Sequence, residues 1–248
     1  MTTIKQIAEF LNKELNINNI EDSSCNGLQV ENEGEITKIG FAVDACQETF
    51  EKAFKAKCNL LVVHHGLIWD SLKHLKGSTY HNIKYLITNN LALYASHLPL
   101  DLHEKYGNNV QLANLLQLKD LRAFGFYHDK AIGFSGSTDT TLEKIKKKLQ
   151  NQGMKTLSLD FGPKEIKKVA IISGGGAKEV YQAVAIGADL YITGEPLHFV
   201  HHFAKENNIN VIFSGHYETE VWGVKALMPL LQEKFKVKVE FIDVPTIV

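Results

Sequence analysis

The sequence predicts an α/β protein of two related lobes, each with a mixed, largely parallel sheet flanked by helices. Short apolar runs alternate with segments whose apolar residues recur at helical spacing, which is typical of strands joined by crossover helices. The chain has 248 residues, of which 44% are hydrophobic and 22% are charged. A chain of this length and composition can bury a core without disulfides, and it is not the composition of a disordered protein.

The first half of the chain begins with an amphipathic helix at 4–15, which Thr3 is placed to cap. Apolar runs then predict three strands, and helical spacing predicts a helix after each of them. The strands are expected at 36–43, 60–63 and 92–96, and the helices at 49–57, 80–89 and 109–118.

The second half of the chain continues the same alternation of apolar runs and helical spacing. Its first predicted helix carries a basic face, and its last predicted strand precedes the C-terminal region. The strands are expected at 131–134, 169–172, 190–193 and 211–214, and the helices at 141–152, 178–186 and 198–207.

Internal similarity supports a division into two lobes. Laid without gaps, residues 38–65 match 168–195 in their pattern of apolar positions, although identities are few and any two strand–helix–strand units could match in this way. We expect residues 1–125 to form the first lobe, completed by 216–248, and residues 126–215 to form the second.

A second pairing lays residues 92–101 on 211–220. In each segment a strand ends in a small residue, a histidine follows, and a carboxylate comes four residues after the histidine. That spacing places both side chains on one face if a helix follows the strand. Two facing lobes of this design would bring these strand ends together, so we expect a metal site between the lobes.

Charge and terminal sequence limit the function classes. Lysine and arginine number 27, aspartate and glutamate 28, and the net charge of −1 provides no overall field to attract nucleic acid or anionic membranes. The basic stretch at 144–148 is interpreted as a solvated helix face.

No apolar run is long enough to span a membrane, and the N-terminal residues lack a secretory signal, so we expect a cytoplasmic protein. The three cysteines form no CxxC pair and are expected to be reduced thiols.

Histidines are concentrated at the predicted strand ends. Ten of the eleven histidines lie in the windows 64–103 and 198–216. Ligands bind at the carboxyl ends of parallel strands, where imidazole and carboxylate groups suit zinc, iron, manganese or similar divalent ions. Three strand ends carry such groups: His64 with His65, His97 with Asp101, and His216 with Glu220.

Several motifs resemble those of the Nif-three-like family, whose members are also called GTP cyclohydrolase I type 2 homologues. The signature is carried by VHHGLIW at 63–69, SHxxxD at 96–101 and SGHxxxE at 214–220. The segments CNGLQ at 25–29 and ITGE at 192–195 resemble further family motifs. The resemblance extends from about residue 3 to 247, which is essentially the whole chain.

The resemblance implies a dinuclear metal centre in a toroidal homohexamer whose metal sites face an inner cavity. It assigns the two divalent ions per subunit to five ligands, of which Glu220 would bridge: His64, His65, Asp101, His216 and Glu220. His97, Glu195 and His198 would line or support the site. Leu98 and Pro99 depart from the threonine and asparagine usual in the family at these positions, which weakens any assignment of polar substrate contacts there.

Two further segments leave alternatives open. His198, His201 and His202 have the spacing of one helical face and are either metal ligands or, as we favour, exposed or supporting residues, with His198 best placed for the site. The glycine-rich segment 173–176 follows a predicted strand and is either a tight turn, which we favour, or an anion-binding nest.

Two functions are compatible with this pattern. In the first, the protein is a metal-dependent hydrolase that uses a bridging water activated by two ions, with His97 or Glu195 relaying the proton. Its small-molecule substrate is unknown, and a GTP cyclohydrolase-type reaction is one candidate. In the second, the protein is a non-enzymatic, metal-containing ring scaffold or regulator that binds a protein or nucleic-acid partner, and the net charge near zero disfavours nucleic acid.

Overall fold

The computed structural model of the chain describes residues 1–72 and 74–247. The chain divides into two compact units: unit 1 comprises Met1–Tyr106 and Gly223–Val244, and unit 2 comprises Gly107–Trp222 and Pro245–Val248. Each unit contains a mixed sheet flanked by helices, so the predicted α/β class is confirmed. The lobe boundaries expected at 125 and 216 differ from this division and stay a prediction.

Unit 1 is built on a five-stranded sheet of order β1-β4-β3-β2-β11. β1 is antiparallel to β4, and the other neighbouring pairs are parallel, which places the carboxyl ends of β2, β3 and β4 at one edge. Its elements are α1 (Ile4–Glu14), β1 (Gly27–Val30), β2 (Lys38–Asp44), α2 (Gln47–Lys55), β3 (Leu60–His65), α3 (Gly77–Thr88), β4 (Ala92–Ala95), α4 (Leu98–Asp101) and β11 (Lys238–Phe241).

The N-terminal helix shows how sequence and packing agree in unit 1. Thr3 accepts a hydrogen bond from the Gln6 amide, and the Gln6 side chain accepts one from the Thr3 amide, which forms a capping box. Ile4, Ile7 and Leu11 are buried in the core that packs on the sheet. The predicted helix and its cap are therefore confirmed.

Unit 2 contains a six-stranded sheet of order β5-β6-β8-β9-β10-β7. Only the β8–β9 and β9–β10 pairs are parallel among its described strands, so this sheet is more antiparallel than expected. Its elements are α5 (Asn108–Leu116), β5 (Lys119–Tyr127), β6 (Lys130–Thr141), α6 (Leu142–Gln150), β7 (Leu157–Asp160), β8 (Glu165–Ile171), α7 (Val180–Ala185), β9 (Leu190–Thr193), α8 (Val200–Glu206) and β10 (Asn210–Phe213). A last helix, α9 (His216–Phe235), begins in unit 2 and ends in unit 1.

Three of the elements that the apolar pattern did not predict, β5, β11 and α9, have identifiable causes. β5 is largely exposed and therefore lacks an apolar run; it pairs with β6 through a turn in which His128 and Asp129 both have positive φ. β11 is a short, half-exposed edge strand. α9 is buried on most sides in its first turns and contains Pro229, so it lacks a regular amphipathic stripe.

The cysteines and the hydropathy of the helices agree with the expectations from composition. Cys25, Cys46 and Cys58 are free thiols, as predicted. Burial raises the pKa of the Cys58 thiol to about 11, which disfavours the reactive thiolate. Among the described residues, no helix combines the length and apolar character needed to cross a membrane.

Candidate metal centre

The predicted histidines of unit 1 meet at one edge of its sheet. β3 and β4 are parallel neighbours, so their carboxyl ends lie side by side. His64 and His65 end β3, and His97 follows β4 and precedes α4. One ring nitrogen of each of these three histidines lies within 4.8 Å of the others, which is a spacing that could hold a metal ion.

His64 is held in one tautomer by the backbone. Its Nδ1–H donates to the Ser96 carbonyl oxygen at 2.9 Å, and because a carbonyl can only accept, Nδ1 carries the proton. Nε2 therefore presents a lone pair, and it lies 3.4 Å from Asp101 Oδ2. His64 and Asp101 are both buried, so the histidine and carboxylate offer ligand atoms in a place that excludes bulk water.

Two aspartates that the sequence analysis did not single out orient the other histidines of unit 1. Asp44 Oδ1 lies 2.7 Å from His65 Nδ1, and Asp22 Oδ1 lies 2.9 Å from His97 Nδ1. Asp44 ends β2 opposite His65 in the parallel register, so the strand-end rule that selected the histidines would have selected it too. Asp22 comes from a loop and has no such signal.

Asp22 is the centre of a hydrogen-bond network. Its carboxylate accepts hydrogen bonds from the ring of His97, the Asn26 side chain, and the backbone amides of Ser24 and Leu98. Burial alone would raise the pKa of Asp22, but the hydrogen bonds and the charge of His97 outweigh it and lower the pKa to about 2. The carboxylate is therefore ionised whenever the protein is near neutral pH, and it fixes the His97 ring.

We expect Asp22→Asn to destabilise the protein by about 2 kcal/mol at pH 7, because a pKa lowered from 3.8 to about 2 measures that preference for the ionised form. The folded-state pKa is the lower one, so the contribution is fully present above about pH 4 and is lost as the pH falls towards about 2. Urea unfolding at pH 7 and pH 3 measures the change. Glu9→Gln, on an exposed position of α1, is the charge-matched control. An equal loss in both variants, or a loss at pH 7 that persists undiminished at pH 3, would contradict the assignment.

The CNGLQ segment holds the loop that follows β3. The Gln29 Oε1 atom accepts hydrogen bonds from the two backbone amides that follow Gly66, and a Cβ at Gly66 would overlap the Gln29 amide. Asn26 Oδ1 accepts the backbone N–H of His97 at 2.7 Å. These contacts place the CNGLQ segment, which is distant in sequence, against the backbone beside the histidines.

Unit 2 presents a second group of ligand atoms at the start of α9. His216 Nε2 lies 3.0 Å from Glu220 Oε2, one helical turn later, and His216 Nδ1 lies 2.5 Å from Glu195 Oε1. Burial lowers the pKa of His216, but the hydrogen bonds and charges of Glu220 and Glu195 outweigh it and raise the pKa to about 9. The two carboxylates therefore stabilise a positive charge on the His216 ring.

Gly174 gives the Glu220 carboxylate its space. Gly174 has a φ of +60°, and a Cβ there would overlap Glu220 Oε1 and lie 3.0 Å from His216 Nε2. Its amide donates to Thr219 Oγ1 at 2.9 Å, and its carbonyl accepts from the amides of Gly194 and Glu195. The segment 173–176 is thus a tight turn in which the Gly174 amide and carbonyl bind protein, which agrees with the favoured interpretation.

The remaining predicted residues lie as follows. His198 occupies an exposed turn before α8, so it does not share a helix with His201 and His202, which are exposed on α8. Its supporting role stays a prediction. Leu98 and Pro99 begin α4.

The histidines of the candidate site share one hydrogen-bond arrangement at Nδ1. Each of the four histidines at strand ends has Nδ1 within hydrogen-bond distance of an oxygen. The pairs are His64 with the Ser96 carbonyl, His65 with Asp44, His97 with Asp22, and His216 with Glu195. Histidines that ligate metals usually donate their second ring nitrogen in this way, which fixes the tautomer and directs the other nitrogen to the ion. The donor set of imidazole and carboxylate fits a divalent transition metal.

Glu195 also lines a cavity of about 710 Å³ within unit 2. Its walls combine the backbone of Gly194 and Gly215 with Phe213, Glu218 and Lys155. A cavity of this volume that contains apolar, acidic and basic groups is of the size that holds small molecules.

Comparisons with known proteins identify the family of this chain. A family model described as Duf34/NIF3 (NGG1p interacting factor 3) matches residues 2–246. The chain is 41% identical over 245 residues to an Archaeoglobus fulgidus protein named GTP cyclohydrolase 1 type 2 homolog, with 98% of each chain covered. It is 43% identical over 247 residues to a protein of the same name from Pyrococcus horikoshii, covering 97% of this chain and 98% of the other. The crystal structure of TTHA1606 from Thermus thermophilus matches with a TM-score of 0.92 at 36% identity over the whole of both chains. The chain therefore belongs to the Duf34/NIF3 family.

Proposed function

We propose that this protein is a hydrolase that depends on two divalent metal ions per subunit. The proposed ligands are the Nε2 atoms of three histidines and two buried carboxylates: His64, His65, His216, Asp101 and Glu220. The observation that carries the proposal is the oxygen partner at Nδ1 of each of these histidines, because it directs Nε2 towards an ion. Zinc, iron and manganese are the metals that suit this donor set.

Two residues of the chain, Glu195 and His97, are proposed to accept a proton during the reaction. When bound, divalent ions lower the pKa of water and polarise a carbonyl or phosphoryl oxygen. Glu195 uses Oε1 to hold His216 and lines the 710 Å³ cavity, so its Oε2 is the atom proposed to take up a proton there. His97 has Nδ1 held by Asp22, which leaves Nε2 as the alternative proton acceptor.

Metal analysis of the wild-type protein followed by a substrate screen tests the proposal. Elemental analysis is expected to give about two equivalents per subunit, as a two-metal site requires. Phosphoesters and GTP are then assayed with the metal-loaded and the chelator-treated protein. Hydrolysis that is lost with the metal and restored by it supports the proposal; absence of bound metal even after supplementation contradicts it.

The proposed assembly is a homohexameric ring, which rests on the family resemblance. Light scattering is expected to give a mass about six times the 27.8 kDa of one chain. The non-enzymatic scaffold remains the rival function: salt-dependent binding of a single strand that survives the loss of Glu220 would favour it. The cytoplasmic location stays a prediction.

A further inference from the structure

A second polar groove lies in unit 2. It has a volume of about 590 Å³ and is formed where the end of α5, the start of β5, the end of β6 and α6 meet. No proposed metal ligand is among the described residues that line it. Its polar lining comes from three lysines, three hydroxyls, one carboxylate and one amide: Lys119, Lys144, Lys148, Ser137, Thr138, Thr140, Asp139 and Gln117.

The lysines of this groove outnumber its carboxylates: Asp139 lines it, and Asp120 accepts a hydrogen bond from the Ser137 hydroxyl at 2.7 Å. Lys146, on the same helix, binds Asp160 at 2.6 Å and Glu143 at 3.2 Å, and so is neutralised. Lys119, Lys144 and Lys148 have no such carboxylate partner among the described residues. Asp139 is paired with Lys167, and this pairing reduces the negative charge that Asp139 contributes to the groove.

The backbone around the groove departs from regular sheet. The β5–β6 register shifts between Lys119 and Arg122, and the β6–β8 register shifts between Ser137 and Thr140. Bulges of this kind are common beside functional sites because they re-aim side chains. Here they turn the half-buried hydroxyl residues Thr138 and Thr140 into the wall of the groove, opposite the basic face of α6.

We propose that this groove binds an oligophosphate, meaning two or more linked phosphate groups of a small molecule. Ammonium groups and hydroxyls are donors to phosphate oxygens, and the groove combines three lysines with the hydroxyls of Thr138 and Thr140, whereas the Ser137 hydroxyl donates to Asp120. The three ammonium groups come from two elements that border the groove, Lys119 from β5 and Lys144 and Lys148 from α6, and this arrangement suits linked phosphates better than a single one. The volume is that of a small-molecule site rather than of a track for a polymer.

Calorimetric titration with inorganic triphosphate, at about 50 mM salt to limit screening, tests this site. Lys144→Ala and Lys148→Ala are each expected to weaken binding at least about tenfold, as the loss of one charged hydrogen bond implies. Lys147→Ala is the matched control, because it removes the same charge from an exposed position of α6 that does not line the groove. Both Lys147→Ala and Glu220→Ala are expected to bind within about twofold of the wild type.

The proposal would be overturned by no binding to the wild type, by equal weakening in Lys147→Ala, by loss of binding in Glu220→Ala, or by tighter binding of a single-stranded oligonucleotide than of triphosphate. Loss in Glu220→Ala would place the ligand at the proposed metal centre instead. Lys148→Arg keeps the charge and is expected to retain binding, which separates a lost contact from a misfolded variant; loss of binding in a folded Lys148→Arg counts against an electrostatic site.

Discussion

Replacing Glu220 by alanine is expected to remove at least one of the two proposed metal equivalents while the fold persists. Glu220 is buried, and its Oε2 lies 3.0 Å from His216 Nε2, so both side chains offer ligand atoms at one point. Residues that only orient a ligand are worth about 10–100-fold in metal affinity, and a direct ligand should cost at least as much. A chain of 248 residues does not need the metal to bury its core, so the variant should remain folded.

Glu218→Ala is the matched control for this experiment. Glu218 lies in the same turn of α9, its side chain packs beside Gly215, and it is not one of the proposed ligands. Elemental analysis of the wild type and both variants, prepared in parallel, measures the metal content, and circular dichroism checks the fold. Two full equivalents retained by Glu220→Ala, or an equal loss in Glu218→Ala, would refute Glu220 as a ligand.

The parts of the site that could be predicted from the sequence are those set by strand direction. Apolar runs locate β3, β4 and β10, and a histidine after such a run necessarily lies near the carboxyl edge of the sheet. The matching pattern of 92–101 and 211–220 corresponds to real elements: each is a strand followed by a histidine at a helix start and an acid within that helix.

The residues that orient the histidines could be predicted only in part. Asp44 ends a strand next to β3, and the parallel register brings it opposite His65. Asp22 is 75 residues from His97 in the chain and reaches it from an irregular loop, where no periodicity constrains the position. Such contacts depend on the tertiary path of the loop, which local propensity and patterning do not determine.

Gly174→Ala is expected to weaken metal binding more than tenfold, the lower end of what an outer-shell change costs, and to destabilise unit 2. The backbone at Gly174 has a φ of +60°, where a side chain costs about 1–2 kcal/mol. The added Cβ would also overlap Glu220 Oε1, so the carboxylate must move or the turn must open, at a further cost of about 1–3 kcal/mol. The Gly174 amide donates a hydrogen bond to Thr219 Oγ1, one residue before Glu220, so either response displaces the proposed ligand.

Gly187→Ala separates the two causes, because Gly187 has a φ of +68° but no atom within 4 Å of an added Cβ. It therefore carries the backbone strain without the collision and is expected to keep its metal. Urea unfolding and elemental analysis of both variants measure the stability and the metal content. If Gly174→Ala bound metal as the wild type does and were no less stable than Gly187→Ala, the Glu220 carboxylate would tolerate displacement. A carboxylate that can be displaced without loss of metal is not a ligand, and the proposed centre would then have to be built without it.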